Sequence, residues 1–351
     1  MFGLKKSLQA WVGVAALLAG CLTSGAVQAQ APLKFNYGAP SADYYVLYVA
    51  KDAGLFQKHG LEPNFFWFAS GAPLLAGLKS ESLDVFTTGL ASAFMLGQKI
   101  PVKLLFWEMD DAAGEALVVS PKSGIASFRD IKKAKAIGAA SGTCAQVAVG
   151  LIARKIGIKM SELNVINIAP PLFQNAFLSG SIDAAVAWAP YAQALAEGGQ
   201  KIVNYDADYS GFEGDNGICP VMTGGRTSFL QQHPDLGDKL VRIHAEAHQM
   251  TEKNPQLGID ALVKYLSVSP AVAKATYDRV CCGRKPTIAQ QLDPNSPYSL
   301  TSKEGGLVRK MQIATQILAE AGSIPAALTP EVISGAIDSS YVRRFAEGAK
   351  K

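Results

Sequence analysis

From residue 32 to about 203, short apolar runs alternate with longer amphipathic stretches. The runs at 33–37, 63–68, 84–87 and 102–107 have strand length and are rich in Phe, Val, Leu and Trp. Between them, 44–58, 72–79 and 92–98 carry apolar residues at helical spacing, the first closing at Gly60. After an apolar run at 115–119 the cycle restarts, with strands at 136–139, 163–167 and 183–188 and helices at 143–156 and 172–178. Strands separated by helices of this length predict βαβ crossovers and mostly parallel sheets. Beyond 217 the character changes: 234–267 and 303–321 are long amphipathic stretches, and the short apolar segment 218–222 reads as the chain returning to the first sheet.

This pattern predicts an α/β protein of two lobes, with parallel-rich sheets flanked by helices. Lobe 1 takes residues 30–119 and 217–351, and lobe 2, residues 120–216, is inserted into it. Ligands of open α/β sheets bind beyond the carboxyl ends of the strands, so two facing lobes predict one cleft between them. Crossovers near Ser120 and Gly217 would act as hinges.

The first 29 residues read differently. Lys5 and Lys6 precede an apolar run at 11–19, and small residues follow to Ala29. A charged start, short apolar centre and small-residue end make a secretory signal peptide, and the run is too short to span a bilayer. Leu18-Ala19-Gly20-Cys21 also resembles a lipobox, which would anchor the chain by lipid at Cys21. The small-x-small site at Val27-Gln28-Ala29 favours release of a soluble periplasmic protein. The two leader lysines carry two of the chain's four net positive charges. With that balance and no basic cluster interleaved with aromatics, nucleic acid is not an expected partner. Hydrophobic content of 49% and charged content of 18% describe a well-packed globular chain, expected to be monomeric.

Predicted strand ends are followed by small, donor-rich residues: Ser41 in 39–42, Ser70 and Gly71, Gly89 after two threonines, and Ser141-Gly142-Thr143-Cys144. The last opens a helix, where free backbone N–H groups and positive partial charge suit an anion. Aromatics near strand ends, Tyr44, Trp107 and Trp188, would supply walls. Trp67 and Phe68 point to opposite faces of their strand, so one of them belongs to the core. Asp43, Glu108, Asp110 and Glu115 lie near the predicted cleft, suited to a ligand ammonium but read by default as solvated or structural. Asp215 lies just before the second return to lobe 1.

Four cysteines follow the leader: Cys144, Cys219, Cys281 and Cys282. An oxidising compartment permits pairing, and at most one disulfide is expected in a domain this large. No Cys or His spacing predicts a metal site, and no cofactor motif appears. An enzyme on the same scaffold would use Cys144, its thiol activated at a helix start. It would need a base, and His59, His233, His244 and His248 all fall outside the predicted cleft loops. His244 and His248 are one turn apart, which a surface helix explains.

The chain resembles the periplasmic solute-binding proteins of ABC importers, in the nitrate/sulfonate/taurine-type group. The resemblance is carried by 51–60 (KDAGLFQKHG), 70–72 (SGA), 115–119 (EALVV), 169–171 (APP), 180–185 (GSIDAA) and 186–190 (VAWAP). It covers residues 33 to about 345. It implies the two-lobed type II binding-protein fold, no catalysis, a small organic anion as ligand and an inner-membrane permease as partner. It also implies cleft positions for Ser70, Gly71, Ser141, Thr143 and Trp188. The chain departs from the taurine pattern at Leu90-Ala91, where paired serines are expected, and at 218–221, where an acidic residue is expected. Ala69 also stands where an Asp can occur. The pocket therefore reads as less polar and more aromatic than a taurine site, with a larger or aromatic sulfonate or carboxylate, nitrate or a thiamine-type pyrimidine as rivals.

Overall fold

The computed structural model describes residues 31–211, 217–281 and 285–349, and from Leu33 onward the chain forms one compact unit. The leader with Cys21, and Asp215, lie outside the described residues. Among the described residues, ten strands form two five-stranded sheets. The strands are β1 Leu33–Pro40, β2 Leu61–Phe68, β3 Val85–Thr88, β4 Val102–Asp110, β5 Ala116–Val119, β6 Ile137–Ala139, β7 Val165–Asn167, β8 Ala184–Ala187, β9 Lys201–Tyr205 and β10 Pro220–Arg226.

The first sheet has the order β2-β1-β3-β10-β4, the second β7-β6-β8-β5-β9. Both are mixed rather than mostly parallel. In the first, β1 pairs in parallel with β2 and β3, whereas β10 runs antiparallel between β3 and β4. In the second, β6 pairs in parallel with β7 and β8, and β5 is antiparallel to β8 and β9. The two antiparallel insertions share a cause. β5 and β10 are reached from the opposite sheet rather than through a helix crossover, so the right-handed βαβ rule does not constrain them. The segment expected to return to the first sheet thus becomes a central strand. Its neighbours, β3 within the sheet and β4 at its edge, are buried along nearly their whole length.

Two expected helices are each broken in two. The stretch 44–58 becomes Tyr45–Asp52 and Leu55–Lys58, separated where Gly54 takes φ 67°, a conformation that only glycine adopts cheaply. The stretch 234–267 becomes Leu236–Lys253 and Pro255–Leu266. There the Asn254 side chain accepts the Gln256 N–H, and Pro255 occupies a first-turn position where its missing N–H costs nothing. These helices cover the first sheet, with Tyr48 stacked on Tyr265 at 4.4 Å. Among the described residues no helix is long and apolar enough to cross a membrane.

Candidate functional site

The carboxyl ends of β1, β3, β4, β6 and β8 converge on a cavity of about 20 Å³, the room of a single water. Tyr44, Gly71, Gly89, Thr143, Cys144 and Trp188 line it, and all six were expected from sequence. Each stands just past a strand, where the backbone leaves the sheet and exposes its polar groups. Trp188 follows β8 and packs edge-on against Tyr191 at 6.1 Å, which fixes its ring as a wall.

The remaining expected residues are placed elsewhere. Trp107 is fully buried within β4, edge-on to Tyr298 at 5.3 Å; β4 is an edge strand, but later chain covers it there, and the Trp107 backbone N–H donates to Gln291 Oε1. Glu108 faces the interior behind the sheet, where Thr223 Oγ1 donates to its Oε2 at 3.2 Å and His244 Nδ1 lies 3.2 Å away. Ser141 lines a separate open groove of about 710 Å³ with Asn167 and Arg154, its N–H donating to Asn167 Oδ1. Gly142 gives its N–H to Gln146 Oε1 and is likewise not part of the cavity wall. Ser41 gives its N–H to Phe68 O, and Ser70 sits beside Gly71 without lining the cavity. The Thr143 hydroxyl donates to Ala140 O at 2.6 Å and is therefore committed to the turn. What remains for a ligand at this corner is the start of the twelve-residue helix Cys144–Lys155, whose first N–H groups have no partner within the helix.

The residues that sequence reasoning missed are Asp111 and the pairing of Cys144 with Cys219. Cys144 opens a helix of the second sheet's layer and Cys219 immediately precedes β10 of the first, so their disulfide ties the two sheets together at the cavity wall. Gly89 makes room for it: a Cβ there would lie 2.8 Å from Cys144 Sγ and 3.2 Å from Cys219 Sγ. Cys281 is disulfide-bonded as well, which corrects the expectation of at most one bridge. The bond also removes the basis of the enzyme alternative, since Cys144 is buried and carries no free thiol. Glu115 reaches within 4.8 Å of both sulfurs, but sulfurs bonded to each other are not thiolate ligands.

The floor of the site is acidic. Asp43, Asp110, Asp111, Glu115 and Asp206 are all essentially buried, so for Asp43, Asp110 and Glu115 the solvated half of the default reading does not hold. Burial raises the Asp43 carboxyl to about 7, although its hydrogen bond with Asp111 partly offsets this. Asp111 is pushed well above the carboxylate range by burial, then by the charges of Asp43 and Glu115. Glu115 is raised by burial and by Asp206. Asp206 is raised to about 7 by burial, with the Ile218 N–H donating to its Oδ2 at 2.6 Å. These groups brace the two crossing segments: Asp111 N–H donates to Cys219 O, Asp206 N–H to Glu115 O, and Ala112 N–H to Asp110 Oδ1.

Behind the first sheet, a chain of hydrogen bonds runs from Tyr37 through Thr87 and Thr223 to Glu108. Burial alone would raise Glu108, but His244, Lys285 and Thr223 bring it below the ordinary range. His244 therefore belongs to an interior network rather than to a solvated helix face.

The likeness to known proteins follows this geometry. The taurine-binding periplasmic protein of Escherichia coli (strain K12) is 27% identical over 283 residues, covering 79% of this chain and 84% of that one. The alkanesulfonate-binding protein SsuA of Xanthomonas axonopodis pv. citri, solved with MOPS bound, superposes with a TM-score of 0.71. Its identity is 17%, over 89% of this chain and 100% of that one. The nitrate-binding protein NrtA of Synechocystis PCC 6803 gives a TM-score of 0.70 at 14% identity, over 91% of this chain and 89% of that one. These likenesses show the fold of the periplasmic binding proteins. A family model matches residues 28–263, and the chain belongs to the NMT1-like family.

Proposed function

We propose that this chain is the extracytoplasmic solute-binding component of an ABC importer, which captures a small organic anion between its two sheets and delivers it to an inner-membrane permease. The observation that carries this reading is the convergence of strand ends from both sheets, with Tyr44, Trp188 and the start of the Cys144–Lys155 helix, on one cavity. A helix start receives an acid group through its unpaired N–H donors, and the aromatic walls receive the carbon skeleton. The named ligands of the taurine- and alkanesulfonate-binding relatives support an acid of this kind.

The cavity holds about one water, so a solute the size of a sulfonate requires the sheets to move apart and close again. Only a solute that prefers the closed arrangement shifts that equilibrium. The segments that cross between the sheets, at Asp110–Glu115, earlier than the expected Ser120, and near Gly217, are the natural hinges. Residues 1–29 are read as the export signal, with release after Ala29, which would deliver the protein to the periplasm.

A thermal-shift panel on refolded, ligand-free protein tests this reading. It contains alkyl and aryl sulfonates, taurine, nitrate, aromatic carboxylates and pyrimidines. A solute at 100 times its dissociation constant adds about 2.7 kcal/mol of stability, so a true ligand is visible as a clear shift. Stabilisation by one acid class supports the proposal, and a flat response across the panel contradicts it.

A further inference from the structure

Around the Cys144–Cys219 disulfide stand the parts of a metal site that the bond itself holds closed. A Glu115 carboxylate oxygen and the two Sγ atoms all lie within 4.8 Å of one another, and all three residues are buried. Both Glu115 oxygens lack a hydrogen-bond partner among the described residues. Charged or protonated, a carboxyl group so placed leaves polar atoms unsatisfied, and a coordinated cation satisfies them.

The sulfurs are set up for the same purpose. Leu90 N–H donates to Cys144 Sγ at 3.3 Å, and Cys144 is the first residue of the helix Cys144–Lys155. A donor and a helix start both favour the thiolate, the form of cysteine that binds metal. Gly89 leaves space beside both sulfurs, which they can use on parting. Both cysteines also line the cavity, whose room for one water gives a fourth ligand a place beside them. Two thiolates, a carboxylate and a water make a four-coordinate zinc site with one exchangeable position.

We infer that reduction of the Cys144–Cys219 bond turns the cavity wall into a binding site for one thiophilic divalent cation of the zinc type, held by Cys144, Cys219 and Glu115. A dithiol reductant supplies two electrons and two protons. Its own sulfurs join in a disulfide, the Cys144–Cys219 bond breaks, and each cysteine becomes a thiol. The cation then displaces the thiol protons to solvent, together with that of a protonated Glu115. Sulfur ligands select zinc over magnesium or calcium. The redox state of one bond thus decides whether the wall holds metal, and this holds whether or not the cavity captures a solute.

The test is calorimetric titration of Zn2+ into the oxidised protein and into protein reduced with a phosphine, which leaves as its oxide and is removed beforehand. A free-thiol count reports reduction, and circular dichroism reports the fold. The expected result is one zinc per chain in the reduced protein and none at this site in the oxidised one. X-ray absorption of the zinc complex should show two sulfur neighbours. Cys144→Ser should abolish binding, and Cys281→Ala/Cys282→Ala should keep it. Glu115→Gln should weaken it by at least about 10-fold, the least that loss of even an outer-shell partner usually costs. Equal binding by the oxidised protein, binding that survives Cys144→Ser, or its loss in the folded Cys281→Ala/Cys282→Ala variant overturns the inference. So does a bond that stays intact in the folded protein, a reduced protein that binds no zinc, or one that has lost its fold. Unchanged affinity in Glu115→Gln overturns the three-ligand site. A flat response to the solute panel bears on solute capture alone and leaves this inference standing.

Discussion

Cys144 and Cys219 are bonded across the wall of the cavity, joining a helix of one sheet's layer to the strand approach of the other. The bond encloses 75 residues of sequence separation, which include most of the second sheet. A crosslink over a loop of that length limits the unfolded chain, and in the folded state it restrains the two sheets beside the hinges.

The first prediction concerns this bond. The double variant Cys144→Ala/Cys219→Ala should lose about 2–5 kcal/mol of stability, the usual cost of removing a native disulfide. It should also open more readily, seen as a larger radius of gyration in solute-free solution scattering. An unchanged urea midpoint and scattering curve would show that the crosslink constrains nothing.

Gly89 gives a second and more local test. A methyl group at this position would press on both sulfurs. Gly89→Ala should therefore destabilise the oxidised protein by about 1–3 kcal/mol, the range for overpacking. In the background lacking both cysteines the same substitution should cost much less. Equal cost in both backgrounds would place the clash elsewhere.

The buried acids predict an unusual pH profile. Asp43 and Asp206 titrate near 7 in the folded protein, and Asp111 and Glu115 are also raised. Acids with raised folded values bind more protons when folded than when unfolded, so stability falls as pH rises from about 4 through 7. Glu108 is shifted the other way, and its contribution is lost only below the ordinary carboxylate range. Urea midpoints of the solute-free protein should thus be higher at pH 5 than at pH 8. Asp206→Asn should flatten part of that slope, and a midpoint that rises across this interval would contradict the assignment.

The Glu108–His244 pair should behave as structure rather than as site. His244→Ala leaves a buried carboxylate without its imidazole and should cost about 3–5 kcal/mol. Adding Glu108→Gln should recover part of the loss. Solute affinity, measured under conditions where each variant is folded, should not change. A selective loss of affinity would return Glu108 to the binding site.

The sequence revealed much of this architecture because its signals are local. Strand-length apolar runs at β1, β3, β6 and β8, separated by helical spacing, placed four of the strand ends that carry the cavity. The central, antiparallel position of β10 was not legible, because strand order depends on pairings far apart in sequence. Trp107 and Trp188 look alike as aromatics near predicted strand ends. Only the later chain packed on β4, through Gln291 and Tyr298, separates the buried one from the cavity wall. Thr143 and Ser141 were placed correctly at a helix start, but hydroxyl direction and groove membership depend on neighbours such as Ala140 and Asn167. Asp111 was missed because an acid in a charged stretch, Glu108-Met109-Asp110-Asp111, gives no sign of its burial.

Calorimetric titration of refolded wild-type protein beside Trp188→Ala, with the acid that stabilises it most, tests solute capture in this cavity most directly. The account predicts one solute per chain and a loss of about 1–3 kcal/mol in the variant, from the missing aromatic wall. Equal affinity in the two proteins, or no saturable binding in the wild type, would contradict it.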